Sequence, residues 1–340
     1  MQVSPISPER KYGAIIEGLN EEMLAVEDVR QGLRDLWSQH GLLVFRGNSL
    51  APFHVALSLV FGTLEHHPAR EMCHEDHPEI FLLRHDNKLD PWLYNVGGQV
   101  LGAWVPWHFD LAFVPHINRG SLLRSVKLPT QGGDTGFVDG VEAYERLDPD
   151  LREMIDGCEV IYKMESDFAK NKYVSRATRA PVHMERGNSY QKSMKARQEK
   201  DYPAVLHPAV VTQEETGRKV LHFSPLMASG IFGMSEKEST PILEALTDHV
   251  SDPTLNYVHH WTNSDIVMWD NWRMMHTAYG CPDGETREMW RTSIAGDYNL
   301  GRFLSDAIAG QATAKTQVGF LRDRRTARSP RPIPHIQVTS

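Results

Sequence analysis

The sequence predicts a mainly β chain of the α+β class, a double-stranded β-helix (jelly roll) core with flanking helices. Three observations carry this reading. From about residue 104, short strand-like runs are separated by clusters of turn-forming residues, the texture of antiparallel sheet. Helical spacing is confined to a few separate segments. Strands and helices do not alternate regularly, as a parallel, doubly wound sheet would require.

The elements follow in order. Over 26–40, Val26, Val29, Leu33 and Leu36 recur on one helical face, and Gly41 ends the helix. Leu42, Leu43, Val44 and Phe45 then read as a buried strand, and 51–61 as a second helix closed by Gly62. Residues 104–114, 120–127 and 135–138 are strand-like, with Pro129-Thr-Gln-Gly-Gly-Asp134 as a turn between the last two. Helical pattern returns over 140–155 and over 235–250, where Ser235-Glu-Lys-Glu238 forms a capping-box signal. Strands resume at 266–269 and 287–295. Residues 168–200 hold nine Lys or Arg against two acids and few large apolar side chains, so a surface loop or lid is expected there. Residues 1–310 are expected to form a single domain, and 311–340 a basic, Pro-containing C-terminal extension.

Composition excludes several function classes. The 340 residues carry 36 Lys and Arg against 44 Asp and Glu, a net charge of −8, which argues against nucleic acid as the partner. No apolar run approaches the roughly 18 residues of a membrane span. Met1-Gln-Val-Ser-Pro5 lacks the basic and apolar regions of an export signal. Cys73, Cys158 and Cys281 are far apart and odd in number, which speaks against a disulfide framework. A cytoplasmic protein acting on a small molecule is expected, and a homo-oligomer stays open. The 17 histidines direct attention to metal binding.

Phosphate-binding, dinucleotide-binding and nucleophile-elbow motifs are absent. His74-Glu-Asp-His77 is no zinc-protease motif, because Pro78 stands where the second histidine belongs and blocks the helix. Two His-x-Asp triplets remain. His74-Glu-Asp76 lies among charged residues in an expected loop. His108-Phe-Asp110 lies in the strand-like run 104–114, where residues two apart share a face and can reach one ion. A third ligand is expected from His276, which follows the strand 266–269 amid apolar residues. Beyond the turn Cys281-Pro-Asp-Gly284, the chain is expected to fold back and bring Arg287 and Arg291 near His276. Two cations beside a metal ligand are costly to bury unless an anion binds between them. Two histidines and a carboxylate facing open positions form the facial triad of non-haem iron oxygenases.

Together these stretches resemble the taurine dioxygenase (TauD/TfdA) family of Fe(II)/2-oxoglutarate-dependent oxygenases. The resemblance runs from about residue 12 to Asp297. It rests on Tyr12-Gly-Ala-Ile-Ile-Glu-Gly18, Val44-Phe-Arg46, Phe61-Gly-Thr-Leu64, Trp107-His-Phe-Asp110 and Lys127-Leu-Pro-Thr-Gln-Gly-Gly-Asp-Thr135, then Leu206-His-Pro208, Trp269-Asp-Asn271, His276 and Arg287-x-x-x-Arg291. It implies Fe(II) on His108, Asp110 and His276, with 2-oxoglutarate and O2 as cosubstrates. Thr135 and Arg287 match partners of the distal carboxylate of 2-oxoglutarate, and a bidentate arginine suits a dicarboxylate. Arg291 is assigned either to 2-oxoglutarate or to the substrate's anionic end, which His67 also matches. The implied reaction is hydroxylation of an unactivated C–H bond, with fragmentation where the hydroxyl lands beside a heteroatom. Trp104 departs from the family, which has a polar substrate contact four residues before the first ligand. It points to a larger, flatter or more apolar substrate, and together with the cationic end made by Arg291 and His67 to an organic anion with an aromatic or bulky aliphatic body. The rival is a non-catalytic or differently metallated jelly-roll binding protein, since affinity alone favours zinc or copper. The Arg287 and Thr135 pair discriminates, because a plain metal site needs no dicarboxylate clamp.

Overall fold

Both N-terminal helices form where the apolar spacing puts them, over Glu27–His40 and Ala51–Phe61, and Gly41 ends the first in the left-handed conformation at φ 69°. The computed structural model describes residues 1–47, 50–66, 72–86, 88–89 and 91–310. The C-terminal extension therefore lies outside the described residues, as does His67.

An eight-stranded sheet runs in the order Gln2–Pro5, Ala14–Glu17, Leu42–Arg46, Ile266–Asp270, Gly120–Lys127, Arg287–Ile294 and Leu64–Glu65, with Phe81–His85 also paired to Arg287–Ile294. A six-stranded sheet runs in the order Val182–Arg186, Leu93–Val96, Gln99–His108, Met274–Pro282, Thr135–Asp139 and Asn256–His259. Leu42, Val44, Val267, Trp269 and Met289 of the first sheet pack with Phe137 and Met274 of the second, so the sheets share one core. The outer faces are covered too. Leu33, Trp37, Phe53 and Leu57 of the two N-terminal helices pack on Phe45, Leu122, Met268 and Ile294. Trp104 and Trp107 share a core with Leu151, Val174, Leu243 and Leu246 of later helices. A strand covered on both faces needs no polar alternation, which is why Ile266–Asp270 is buried throughout.

Four expectations change. The helix expected over 140–155 is two, Gly140–Glu145 and Pro149–Ile155, because Asp148 caps a new start and Pro149 takes its first turn. The strand expected over 104–114 is Gln99–His108, and it stops before Asp110. The segment 168–200 is not a loop: it holds the helices Val174–Thr178 and Ser189–Asp201 and the strand Val182–Arg186, which joins the six-stranded sheet. Tyr173, Val174, Ala177, Val182 and Met194 suffice to bury one side of it, while Lys172 and Arg176 pair outward with Glu236 and Asp248. Finally, the turn after Pro282 does not return the chain beside its own strand. Met274–Pro282 and Arg287–Ile294 belong to different sheets, so the turn crosses the sandwich. In contrast, the box at Ser235 is complete: its side chain accepts from the Glu238 N–H, and Glu238 accepts from the Ser235 N–H.

His54, His207 and His222, buried away from His108, Asp110 and His276, make this core acid-sensitive. Burial pushes His54 down to about 3, with Arg124 adding to the effect. It pushes His207 down to about 4, and His222 down to about 3 with His207 as a second cause. The unfolded chain protonates all three near 6.5, so stability is complete above that pH and is lost as pH falls toward the folded values. Each site contributes up to about 1.4 kcal/mol per pH unit in that window. The urea midpoint is expected to drop steeply from pH 7 to pH 5, and less so in His222→Phe; a midpoint constant across that range refutes the argument.

Candidate active site

His108 is the last residue of its strand, and its backbone partner across the ladder is His276 of Met274–Pro282. Their rings lie 4.2 Å apart between centroids. The ladder slips immediately beyond, between His276 and Ala278, a bulge that ends regular pairing at the site. Asp110 is not on the strand, so the two-residue alternation does not bring it in. A buried amide does. The Asp110 N–H donates to Asn271 Oδ1 at 2.7 Å, and Asn271 Nδ2 donates back to the Asp110 carbonyl at 3.1 Å. Asn271 also donates to Asn118 Oδ1 at 3.1 Å, and Asn118 donates to Ser121 Oγ at 3.1 Å. Ser121 in turn donates to Asp110 Oδ2 at 3.3 Å. The loop is thereby tied to the strand ends Gly120 and Asp270, and Leu111 takes up the turn at φ 64°.

Asp110 Oδ1 is left facing His108 Nε2 at 3.7 Å and His276 Nε2 at 3.8 Å. The three donor atoms lie within 4.8 Å of one another. His108 Nδ1 sits 2.7 Å from the Pro106 carbonyl, so it carries the proton and leaves the Nε2 lone pair for a metal. Burial pushes His276 down to about 3, which keeps it neutral at working pH. Burial alone would raise the Asp110 carboxyl, but the Arg291 guanidinium leads the effects that outweigh it and hold Asp110 well below the usual carboxylate range. Two imidazoles and one carboxylate, each with a donor atom turned toward the others, fit Fe(II).

Arg287 stands at the start of its strand, buried, with Nε donating to the Gly133 carbonyl at 3.2 Å. Gly133 has φ 85°, and a Cβ there would meet Pro129 at 2.7 Å, so the tight turn that presents this carbonyl to the arginine requires glycine. Its Nη2 is buried without a partner, and no carboxylate pairs with it among the described residues. Burial pushes the guanidinium down to about 10. An unpaired buried cation of this kind fits an absent anion. Thr135 opens the strand Thr135–Asp139, is buried, and accepts a hydrogen bond from Trp261 Nε1 at 3.0 Å. His85 is the backbone partner of Arg287; it is buried over Gly102 with Nε2 unpaired.

Arg291 Nη1 reaches Asp110 Oδ1 at 3.4 Å, and its Nε is buried without a partner. Trp104 does not join this group of polar residues. Its ring packs on Tyr94 at 5.3 Å and Phe168 at 6.1 Å in the outer core of the six-stranded sheet. His74 turns inward on its own loop, where Nδ1 accepts from the Asp76 and His77 N–H groups. Asn118, Ser121, His85 and Trp261 are not legible as site residues in the sequence alone. None belongs to a motif, and only the fold shows that Ser121 meets Asp110, that Asn118 joins Asn271 to Ser121, that His85 pairs with Arg287 and that Trp261 meets Thr135.

A model of the taurine catabolism dioxygenase TauD, TfdA family matches residues 2–293. Similar curated proteins include pentalenolactone F synthase of Streptomyces arenae, 24% identical over 91% of this chain and 100% of its own length. Another is the (S)-phenoxypropionate/alpha-ketoglutarate-dioxygenase of Sphingobium herbicidovorans, 29% identical over 84% of this chain and 92% of its own. Among solved structures, a taurine dioxygenase from Burkholderia xenovorans shares the fold, with a TM-score of 0.63 and 24% identity over 89% of this chain and 96% of that one.

Proposed function

The chain belongs to the TauD, TfdA family of Fe(II)- and 2-oxoglutarate-dependent dioxygenases, and from that premise we propose that it hydroxylates a small organic anion with an aromatic or bulky aliphatic body. We read the two facing sheets as a double-stranded β-helix and residues 1–310 as one catalytic domain. His108, Asp110 and His276 would hold Fe(II), which with O2 and 2-oxoglutarate supplies the oxidising power for an unactivated C–H bond. The balance is one oxygen atom into the substrate as hydroxyl and one into succinate, with CO2 released. A hydroxyl beside a heteroatom would make the product fragment.

The observation that carries this reading is Arg287: a guanidinium buried with its Nη2 unpaired, in a chain whose triad fits iron. It would take the distal carboxylate of 2-oxoglutarate, with the Thr135 hydroxyl as second donor. A non-catalytic or merely metal-binding jelly roll has no use for such a pair.

The substrate class rests on three features. Arg291 offers a cationic group beside the triad, with Nε still unpaired. Phe168, packed on Trp104, also lines an apolar cavity of about 80 Å³ with Trp92, Met164, Met194 and Met227. A relative is named for phenoxypropionate, an aryloxy carboxylate. On this reading Arg291 would meet the anionic end, and the cavity beside Phe168 would take the apolar body. The test is succinate release with Fe(II) and 2-oxoglutarate across aryloxy acids, sulfonates, sulfate esters, amino acids and neutral analogues. Aryloxy or bulky aliphatic anions are expected to turn over best. Preferential turnover of a neutral compound over every anion would overturn the substrate class and leave the dioxygenase assignment standing.

A further inference from the structure

Thr135 makes a contact that decides which way its hydroxyl can act. Trp261 Nε1 donates to Thr135 Oγ1 at 3.0 Å. An indole N–H is a donor only, whereas a threonine hydroxyl has one proton and two lone pairs. With the indole donating, the oxygen accepts on that side and its own proton must point elsewhere. We infer that Trp261 is a positioning residue for 2-oxoglutarate, fixing the Thr135 hydroxyl as a donor toward the distal carboxylate. This rests on the reading of Thr135 and Arg287 as that carboxylate's partners. The indole N–H also polarises the hydroxyl it binds, which strengthens the outward hydrogen bond.

The ring is held for this task from behind. His259, the backbone partner of Thr135, lies edge-on to Trp261 at 4.7 Å and 88°. His259 is 1% exposed and faces Asp265, fully buried, at 3.1 Å. Asp265 accepts from the Thr262 N–H at 3.1 Å, and the Thr262 carbonyl accepts from Ser125 at 2.5 Å. The segment that carries the indole is therefore pinned to both sheets, through Ser125 on one and His259 on the other. Such pinning makes the donor direction a property of the fold rather than of a mobile side chain.

The experiment is direct binding of 2-oxoglutarate to the Fe(II)-loaded protein without O2, followed by absorbance and calorimetry. Trp261→Phe keeps the ring and removes the N–H. It is expected to raise the dissociation constant roughly three- to tenfold, the range of one hydrogen bond, with Fe(II) affinity and melting temperature unchanged. In a Thr135→Val background the same substitution is expected to cost less than twofold, and Trp261→His, which restores a ring N–H, to recover part of the loss. A structural effect of the indole would add fully in both backgrounds. Wild-type affinity in Trp261→Phe, or a full additional loss on top of Thr135→Val, overturns the inference. Undiminished binding by Thr135→Val itself would instead remove the carboxylate reading on which the inference stands.

Discussion

His276→Ala and Asp110→Ala are each expected to reduce 2-oxoglutarate turnover to the level of free Fe(II), a loss well beyond a hundredfold, while the protein stays folded. The reason lies in how few donors the site has. Among the described residues the triad is the one group of three with mutual spacing suited to a metal, so loss of any member leaves two ligands. The wild-type protein, anaerobic with Fe(II) and 2-oxoglutarate, should show a visible charge-transfer band, and both variants should lack it. Asn271→Ala provides the graded companion. It keeps all three ligands but removes the amide that grips the Asp110 backbone at 2.7 Å and 3.1 Å. Losing an outer partner of this kind costs about ten- to a hundredfold in metal affinity or activity. Asp76→Ala should change nothing, since His74 is engaged with its own loop. Full turnover by Asp110→Ala without added carboxylate would refute the triad.

That triad was legible in the sequence for a partly mistaken reason. Strand alternation predicts His108 and Asp110 on one face, yet the strand stops at His108. What survives is the short loop, with Asn271 and Ser121 doing the aligning, and their contacts bridge more than ten residues of chain that no local pattern reports. The turn after Cys281 shows the same limit. Local chemistry marks a turn there, but not whether the next strand joins the same sheet or the facing one. It joins the facing sheet, and only that crossing lets Arg287 meet the Gly133 carbonyl. The segment 168–200 misled through composition. Its charges dominate the count, while the few apolar residues that bury it sit at helix and strand spacing and were outweighed. The helices closed by Gly41 and Gly62 and the one opened at Ser235 are legible because their signals are local.

Arg287→Met is expected to separate stability from cosubstrate binding, and to do so in opposite directions. In the protein without 2-oxoglutarate, burial holds the guanidinium near 10, so its charge opposes folding at neutral pH by an amount on the order of 3 kcal/mol. The sign follows from the depressed value. The penalty is complete below about 10, where the group is charged in both states, and it fades as pH rises from there toward the unfolded pKa. Replacing such a charge with an apolar side chain of similar length is neutral or stabilising, so the variant should melt at or above the wild-type temperature. Binding moves the other way. A charge-assisted pair contributes about 1.5–3 kcal/mol, so the dissociation constant for 2-oxoglutarate should rise roughly ten- to over a hundredfold. At a concentration 100 times the wild-type constant, the cosubstrate stabilises the wild-type protein by about 2.7 kcal/mol, and the variant should retain only about half of that or less. Arg291→Ala should leave this stabilisation in place and raise the Michaelis constant of the primary substrate, because its guanidinium lies on Asp110 rather than beside Gly133. Equal loss of 2-oxoglutarate affinity in the two variants would end the division of labour. A large drop in melting temperature for Arg287→Met, with the 2-oxoglutarate effect intact, would make Arg287 a structural cation instead.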